Sequence, residues 1–240
     1  MKVVVNGANG KMGRLTVEEF SAAGHEVVAR VDNAGGDCIG SIADFTGEAD
    51  VVVDFSFHTA AKDVCDFAVK RGVPAVIATT GHTAEEKELI IAAAKKIPVF
   101  YSGNMSIGIA LLMDFAKKAA AVFGDADVEI MEIHHNRKAD APSGTALMLA
   151  EAVGSSREGA EIVSGRSGSK KREKNEIGIA SLRLANVVGI HEVYISTPNE
   201  TITLKHEAHD RRLFASGAVK AAEFVLNKSA GLYDVRSMKF

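Results

Sequence analysis

The chain has 240 residues, 47% of them hydrophobic, and a formal net charge of −3. That length and apolar content can build one large core or two smaller ones, and with no basic surplus there is no general electrostatic reason to bind nucleic acid or an acidic membrane. The two cysteines, Cys38 and Cys65, are far apart and lack metal-ligand spacing, so reduced structural thiols in a cytoplasmic protein are expected, with no metal site.

The start, Met1-Lys2-Val3-Val4-Val5-Asn6-Gly7, is apolar for only three residues before a turn. It is too short for a signal peptide or a membrane span, so export is not expected. Lys2 to Val5 reads as a strand, Gly7-Ala8-Asn9-Gly10-Lys11-Met12-Gly13 as a glycine loop, and Leu15, Val17, Phe20 and Ala23 as the apolar stripe of a helix. In that context glycines permit a tight turn, let backbone approach a pyrophosphate and let the helix pack on the strand. The spacing is G-x-x-G-x-x-G, a variant of the usual fingerprint. A second strand, Glu26 to Val31, ends on Asp32, at about the 20-residue distance of an acid that binds a ribose hydroxyl. Asp32 also fits a strand-end residue that caps a turn with Asn33.

The same grammar then repeats: Val51 to Phe55 as strand, Thr59 to Arg71 as helix, Pro74 to Ala78 as strand, Glu85 to Lys96 as helix and Pro98 to Tyr101 as strand. Near-continuous apolar strands between amphipathic helices imply a parallel sheet covered on both faces, an α/β architecture of Rossmann-like type. Ligands in such sheets bind at the carboxyl ends of the strands, where Ser56-Phe57-His58, Thr79-Thr80-Gly81 and Ser102-Gly103-Asn104-Met105 fall. Thr79 and Thr80 fit equally well as caps for the helix that follows.

Ser106 to Phe123 reads as a long apolar helix at a domain boundary, and beyond it the pattern changes. Asp127 to Ile133 alternates as a strand, and Glu132-Ile133-His134-His135-Asn136-Arg137-Lys138-Ala139-Asp140-Ala141-Pro142-Ser143-Gly144-Thr145 forms a crossover into a helix. Pro142 ends any preceding helix, and Ser143 can cap one that begins at Gly144 and Thr145, whose N–H groups can hold a carboxylate or phosphate. A histidine with an unperturbed pKa of about 6.5 can carry a proton to substrate, and Lys138 adds a fixed cation. As a bare pair, the histidines also fit a half-exposed strand end.

Residues 154–175, rich in Ser, Gly, Lys and Arg, read as a loop whose basic part, Arg166 to Lys174, is either solvated or a cationic lid for an acidic substrate. Ile177 to Ala185, Val187 to Thr197 and Thr201 to Ala208 read as consecutive strands of an antiparallel or mixed sheet, giving an α+β second domain. Arg212 to Leu226 is an amphipathic helix, and Gly231-Leu232-Tyr233-Asp234 follows it.

Together Gly7 to Gly13, Thr79-Thr80-Gly81, Asn104-Met105-Ser106-Ile107-Gly108, Glu132 to Thr145, Glu176-Ile177-Gly178-Ile179, Phe214-Ala215-Ser216-Gly217-Ala218 and Gly231-Leu232-Tyr233-Asp234 resemble the 4-hydroxy-tetrahydrodipicolinate reductase family of lysine and diaminopimelate biosynthesis. The likeness runs nearly end to end. Its H-H-x-x-K-x-D-x-P-S-G-T run is highly specific, whereas the glycine loop alone fits many dehydrogenases. The resemblance implies NADH- or NADPH-dependent reduction of a cyclic dicarboxylate imine. It also implies a Rossmann-like domain over 1–105, completed by 216–240, and a substrate domain over 106–215 whose mixed sheet builds a homotetramer.

By the same resemblance His134 matches the proton donor, Lys138 a second catalytic group, His135 a substrate contact, and Gly144 and Thr145 the carboxylate-binding helix start. Gly7, Ala8, Asn9, Gly10, Lys11, Met12, Asp32, Ala78, Thr79, Thr80, Ser102, Gly103, Asn104 and Met105 match dinucleotide contacts. The chain departs from the family at Ala78, where Gly is common, at Ala110, where Asn is frequent, and at Leu184-Ala185, where Gly-Gly usually follows Arg183. By the resemblance, these changes are expected to add bulk near the nicotinamide, weakening cofactor binding, and to rebuild the Arg183 turn.

Asp32 disfavours a 2′-phosphate while Lys11 and Arg14 attract one, so both cofactors are expected to work, with NADH preferred by less than about tenfold. Closure of the two halves about hinges near Met105 and Ser216 is a further expectation. Two other functions remain open on residues alone: a related dehydrogenase acting on an amino or keto acid, and a dinucleotide-binding regulator without chemistry. The regulator needs an output module, yet no helix-turn-helix pattern or basic recognition face stands out, and it leaves His134, His135 and Lys138 unexplained.

Overall fold

Val3, Val4 and Val5 have no solvent exposure, the condition of a central strand buried on both faces. In the computed structural model, which describes residues 1–238, this run is β1 (Lys2–Asn6). It is followed by α1 (Lys11–Ala22), β2 (Glu26–Val31), β3 (Val51–Asp54), α2 (Ala61–Arg71), β4 (Ala75–Ile77), α3 (Ala84–Ala94) and β5 (Pro98–Tyr101). All pairings among these strands are parallel. A 3-10 turn at His58–Ala60 precedes α2, so the helix expected from Thr59 begins at Ala61. Nor do Thr79 or Thr80 cap α3. That helix starts at a capping box in which the Glu86 N–H donates to Thr83 Oγ1 (3.2 Å) and the Thr83 N–H donates to the Glu86 carboxylate (2.8 Å).

The next elements are α4 (Ile107–Val122), β6 (Asp127–His134), α5 (Gly144–Gly154), β7 (Glu161–Ser164), β8 (Glu176–Arg183), β9 (Gly189–Ser196) and β10 (Thr201–Ala208). The sheet runs in the order β10-β9-β6-β8-β7, with β6 parallel to β8 and antiparallel to β9, so it is mixed. The short edge strand β7 falls inside the segment read as loop, and it pairs parallel with β8. Arg166, Lys170, Arg172 and Lys174 of that segment are tied to acids of their own unit. Arg166 reaches Glu176 (2.8 Å), Arg172 reaches Asp127 (3.3 Å) and Glu129 (3.4 Å), and Lys174 reaches Asp125 (2.7 Å). These pairs brace the sheet edge.

Strand β6 buries every second residue, Val128, Ile130, Glu132 and His134, on the side packed by α5. The first two join Ile177, Ile179, Val193, Ile195 and Leu149 in an apolar core. The last two place an acid and an imidazole on that same inner face.

The chain then returns through α6 (Arg212–Val225) and β11 (Gly231–Tyr233), which completes the first sheet in the order β11-β5-β4-β3-β1-β2. One face of this sheet, with Val4, Val52, Ile77 and Val99, packs on Val64 of α2 and Ile90 of α3. Helices α1 and α6 pack together on the other face. Met1–Ser106 with the segment from Arg211 onward form one compact unit, and Ile107–Asp210 form the other. Helix α6 belongs whole to the first unit, so the return begins at Arg211, ahead of the position 216 expected, and Ser216 sits inside a continuous helix. Among the described residues no helix is long and apolar enough to cross a membrane.

Candidate active site

In the first unit the glycine loop is shaped by contacts that tolerate no side chain. Gly7 has φ +80°, and a Cβ there would lie 2.6 Å from the Phe55 carbonyl oxygen. A Cβ on Gly13 would lie 2.0 Å from the Gly7 carbonyl oxygen, so the third glycine lets α1 seat against the loop. The N–H groups of Gly7 and Ala8 both donate to the Val31 carbonyl (2.8 and 3.0 Å), and that of Gly10 donates to Gly7 O (3.1 Å). These groups hold the loop and are not free for phosphate. Gly10 caps α1 without a side-chain hydrogen bond, and first-turn N–H groups of a helix so capped can take an anion.

Asp32 caps the turn after β2, the alternative expected of it, and also holds the glycine loop. Its carboxylate accepts the N–H of Asn9 (2.9 Å) and of Ala34 (2.9 Å), and so braces the glycine loop and the turn after β2 together. The Asn9 side chain donates to Gly35 O (2.8 Å). A cleft of about 360 Å³ opens here, lined by Gly7, Gly10, Asp32, Ile42, Ser56 and Phe57 among others. Beside it Arg14 and Arg30 line a second hollow with Asn9 and Gly36.

Behind the cleft lies an acid that sequence reasoning missed. Asp54 is fully buried at the end of β3, where it accepts Asn6 Nδ2 (2.8 Å), Ser56 Oγ (2.5 Å) and Thr79 Oγ1 (2.7 Å). Thr79 therefore commits its hydroxyl to Asp54. The Ala78 N–H likewise donates to the Asp54 carbonyl (3.0 Å). Thr80 and Gly103 are exposed, and Thr80 Cγ2 would lie 3.5 Å from a Cβ on Gly103. Ser102, Asn104 and Met105 are buried in a self-braced turn, with Ser102 Oγ donating to Asn104 O (2.7 Å) and the Ser106 N–H donating to Asn104 Oδ1 (2.8 Å). The cleft thus gathers Gly7, Gly10 and Asp32, while Ala78 to Thr80 and Ser102 to Met105 sit at the neighbouring strand ends and are not among its lining residues.

The second unit holds the imidazole cluster. His134 is nearly buried, and its Nδ1 lies 2.5 Å from the carboxylate of Glu132. Arg183 grips Glu132 with both terminal nitrogens (2.9 Å each), and the Ser143 N–H donates to it (3.1 Å). Burial pushes the Glu132 carboxyl upward, but hydrogen bonds from His134, Arg183 and Ser181 outweigh it and bring it down to about 2. An ionised carboxylate only accepts, so His134 Nδ1 carries a hydrogen and Nε2 is the atom left for proton exchange. A Cβ on Gly189 would lie 3.2 Å from that Nε2, so a glycine keeps its surroundings open.

His191 of β9 stands edge-on to His134, with ring centroids 5.1 Å apart, and its Nε2 lies 3.2 Å from Ser143 Oγ. Burial, reinforced by His134, lowers its pKa to about 3 and keeps it neutral. Ser143 caps α5 as expected, its Oγ accepting the Ala146 N–H (3.2 Å). Gly144 is exposed at the first helical position, with open space where a Cβ would stand, and Thr145 follows half-buried. Lys138 is half-buried and pairs with Asp140 (2.9 Å), while His135 is half-buried at the end of the strand. An imidazole with one engaged nitrogen, a cation and a capped helix start thus lie within one crossover of the second unit.

The chain is similar to known proteins over nearly its whole length. The family model described as "Dihydrodipicolinate reductase, N-terminus" matches residues 1–105, and "Dihydrodipicolinate reductase, C-terminus" matches residues 108–238. The chain is 42% identical to the 4-hydroxy-tetrahydrodipicolinate reductase of Caldanaerobacter subterraneus subsp. tengcongensis, over 99% of this chain and 98% of the relative. It is 43% identical to that of Rickettsia bellii, over 98% and 93%. Among solved structures, a dipicolinate-bound dihydrodipicolinate reductase from Paenisporosarcina sp. TG-14 superposes with a TM-score of 0.77 at 27% identity, covering 98% of this chain and 97% of the other. With both of its units matched and full-length relatives above 40% identity, the chain belongs to the dihydrodipicolinate reductase family of oxidoreductases.

Proposed function

We propose that the protein reduces 4-hydroxy-tetrahydrodipicolinate to tetrahydrodipicolinate, a step of lysine and diaminopimelate biosynthesis, with a pyridine nucleotide held by its first unit. The observation that carries this reading is the Glu132–His134 pair set beside Lys138 and the Gly144 helix start, in a chain whose full-length relatives bear the reductase name. In the overall change the 4-hydroxyl leaves as water, and one hydride and one proton are added to the ring. Bound NADH or NADPH supplies the hydride. His134 Nε2 delivers the proton to the carbon next to the one that receives hydride. Lys138 turns from Asp140 to a substrate carboxylate, and the N–H groups at Gly144 and Thr145 take the other, with His135 as a further substrate contact.

The fit to a dinucleotide rests on the glycine cradle and the open start of α1. Gly7 to Met12, Asp32, the Ala78 to Thr80 turn and the Ser102 to Met105 turn provide its contacts, with backbone groups standing in at Thr79, whose hydroxyl is engaged. Both NADH and NADPH are used, NADH by a margin under about tenfold, or roughly 1.4 kcal/mol. Support for a small margin comes from Asp32, which lines the cleft and would repel a 2′-phosphate, and from the adjacent hollow, where Arg14 and Arg30 would attract one but Glu18 and Asp37 would oppose it. The family resemblance further supports a cytoplasmic homotetramer built on the mixed sheet. Its edge strand β10 exposes Thr201, Thr203, Lys205 and Glu207.

The test is turnover of each nucleotide with 4-hydroxy-tetrahydrodipicolinate set against a panel of keto acids and amino acids. Activity confined to the cyclic substrate supports the reductase. Activity on the panel alone selects the other dehydrogenase reading, and binding without turnover selects the regulator.

A further inference from the structure

Glu132 is a carboxylate with no solvent exposure, in a strand position that its pattern otherwise reserves for core residues such as Val128 and Ile130. Burying a charge is costly unless every lone pair finds a donor, and here the donors come from separate parts of the half-site. His134 Nδ1 comes from β6 itself, the two guanidinium nitrogens of Arg183 from the end of β8, and the Ser143 N–H from the cap of α5. Sheet register makes this convergence possible, since Arg183 is the partner of His134 across β6–β8 and His191 is the partner of Glu132 across β6–β9. Arg183 also donates to the Asp140 carbonyl (2.6 Å), and the Asp140 carboxylate holds Lys138. One acid is therefore bonded to the imidazole, to the start of the anion-binding helix and, through Arg183, to the loop that carries the lysine.

We propose that Glu132 is the positioning residue of the proton-transfer step: it fixes His134 as the Nδ1–H tautomer with Nε2 toward the substrate, and Arg183 locks Glu132 in that task. The proposal rests on the reading of His134 as proton donor. During transfer the Nε2–H bond breaks, its electron pair stays on the imidazole, and the proton forms a C–H bond with the electron pair that hydride addition leaves on the neighbouring ring carbon. The Nδ1–H bond to Glu132 persists throughout, so Glu132 itself takes up no proton. Glu132 on its own strand bonds His134, Arg183 on β8 clamps Glu132 and His191 on β9 stands against the ring, while His206 on β10 and Lys138 of the crossover loop act electrostatically on His191. His191 is held neutral by burial, which leaves a single imidazole to carry the exchangeable proton.

Glu132→Gln, Glu132→Asp, His134→Gln and the double variant His134→Gln/Glu132→Gln are compared in the intact enzyme. Each is assayed for kcat, KM, the pH dependence of kcat and the ¹⁵N shifts of the histidine rings. Glu132→Gln is expected to lower kcat by roughly 10²-fold or more with KM changed less than about threefold. It should also move the limb of the pH profile that reports loss of the donor's proton to lower pH, because the neighbouring negative charge is gone. The double variant should be no slower than His134→Gln alone, since a residue that acts only through His134 has nothing further to lose. Glu132→Asp keeps the charge and should recover part of the lost kcat with an unmoved pH limb.

Folded Glu132→Gln with normal kcat and an unaltered His134 tautomer overturns the proposal, and so does a strictly additive double variant, which marks a merely structural role. If Glu132→Gln does not fold, Glu132→Asp decides, and a kcat there as low as in His134→Gln with normal folding counts against the proposal. Normal turnover in His134→Gln overturns the donor assignment, whereas loss there with normal Glu132→Gln overturns only the positioning role.

Discussion

Ala185 is the one non-glycine residue among those described with positive φ, at +39°, and it stands in the turn between β8 and β9. The left-handed region costs an L-residue with a Cβ roughly 1–2 kcal/mol. Ala185→Gly removes that strain, while the greater freedom of glycine in the unfolded chain takes back about 0.4–1 kcal/mol. The Ala185 methyl is exposed, so its loss forfeits little buried area. The net expectation is a stabilisation of about 0.7 kcal/mol, which for a urea m-value near 2 kcal/mol/M raises the midpoint by about 0.3–0.4 M. Urea unfolding followed by circular dichroism measures it. Ala185→Asn, which tolerates the left-handed region through its short polar side chain, should also stabilise, and Ala185→Val should destabilise by more than about 1 kcal/mol. A lower midpoint for Ala185→Gly together with a neutral Ala185→Val would refute the strain. The turn matters to the site because Leu184 N–H donates to the His134 carbonyl (2.7 Å) and Asn136 N–H donates to the Ala185 carbonyl (3.2 Å).

Gly13→Ala should destabilise the first unit by about 1–3 kcal/mol and weaken dinucleotide affinity at least about tenfold, because its Cβ would meet backbone that cannot move without displacing α1; calorimetric titration with NADH reads the affinity, and an unchanged value contradicts the packing. Acid should weaken the protein in two stages. His191 is held at about 3, below its ordinary 6.5, so the unfolded chain takes up its proton first, and the stability present above pH 6.5 is lost at about 1.4 kcal/mol per unit as pH falls from there toward 3. Glu132 is held at about 2, below its ordinary 4.5, so it adds a second loss as pH falls from 4.5 toward 2. His191→Gln should flatten the first stage, and a variant with the same slope between pH 6.5 and 5 as the parent would exclude His191 as its source. Asp32→Ala should lower kcat/KM with both nucleotides, since it also releases the Asn9 N–H, yet shift their ratio toward NADPH; an unmoved ratio removes Asp32 from the choice.

Most of the first sheet was legible because β1 to β4 are short valine- or isoleucine-bearing runs beside a helical period, whereas the edge strand β11, Gly231-Leu232-Tyr233, carries no such run. His134, Lys138 and the helix start were legible because they lie within one crossover. Glu132 as anchor, Arg183 as clamp and His191 as neighbour were not, because they meet through the register of β6 with β8 and β9, and register is a property of pairing that no single strand states. Strand β7 was hidden for a related reason. Three of its four residues are exposed, so no apolar alternation marks it within a charged segment. The capping box of α3 did have a readable signal, Thr83 three residues before Glu86, which the adjacent pair of threonines at 79 and 80 obscured. The bond from the Asn9 N–H to Asp32 follows from the approach of the glycine loop to the β2 turn, which only the folded chain reveals.

The most direct test of the central claim is to measure, in His134→Gln, both kcat for 4-hydroxy-tetrahydrodipicolinate and the Kd of a pyridine dicarboxylate. A proton donor held on Glu132 predicts a kcat reduced by about 10²- to 10⁴-fold with Kd changed less than about threefold. Turnover within about threefold of the parent enzyme, or a loss of binding that accounts for the whole fall in rate, would contradict it.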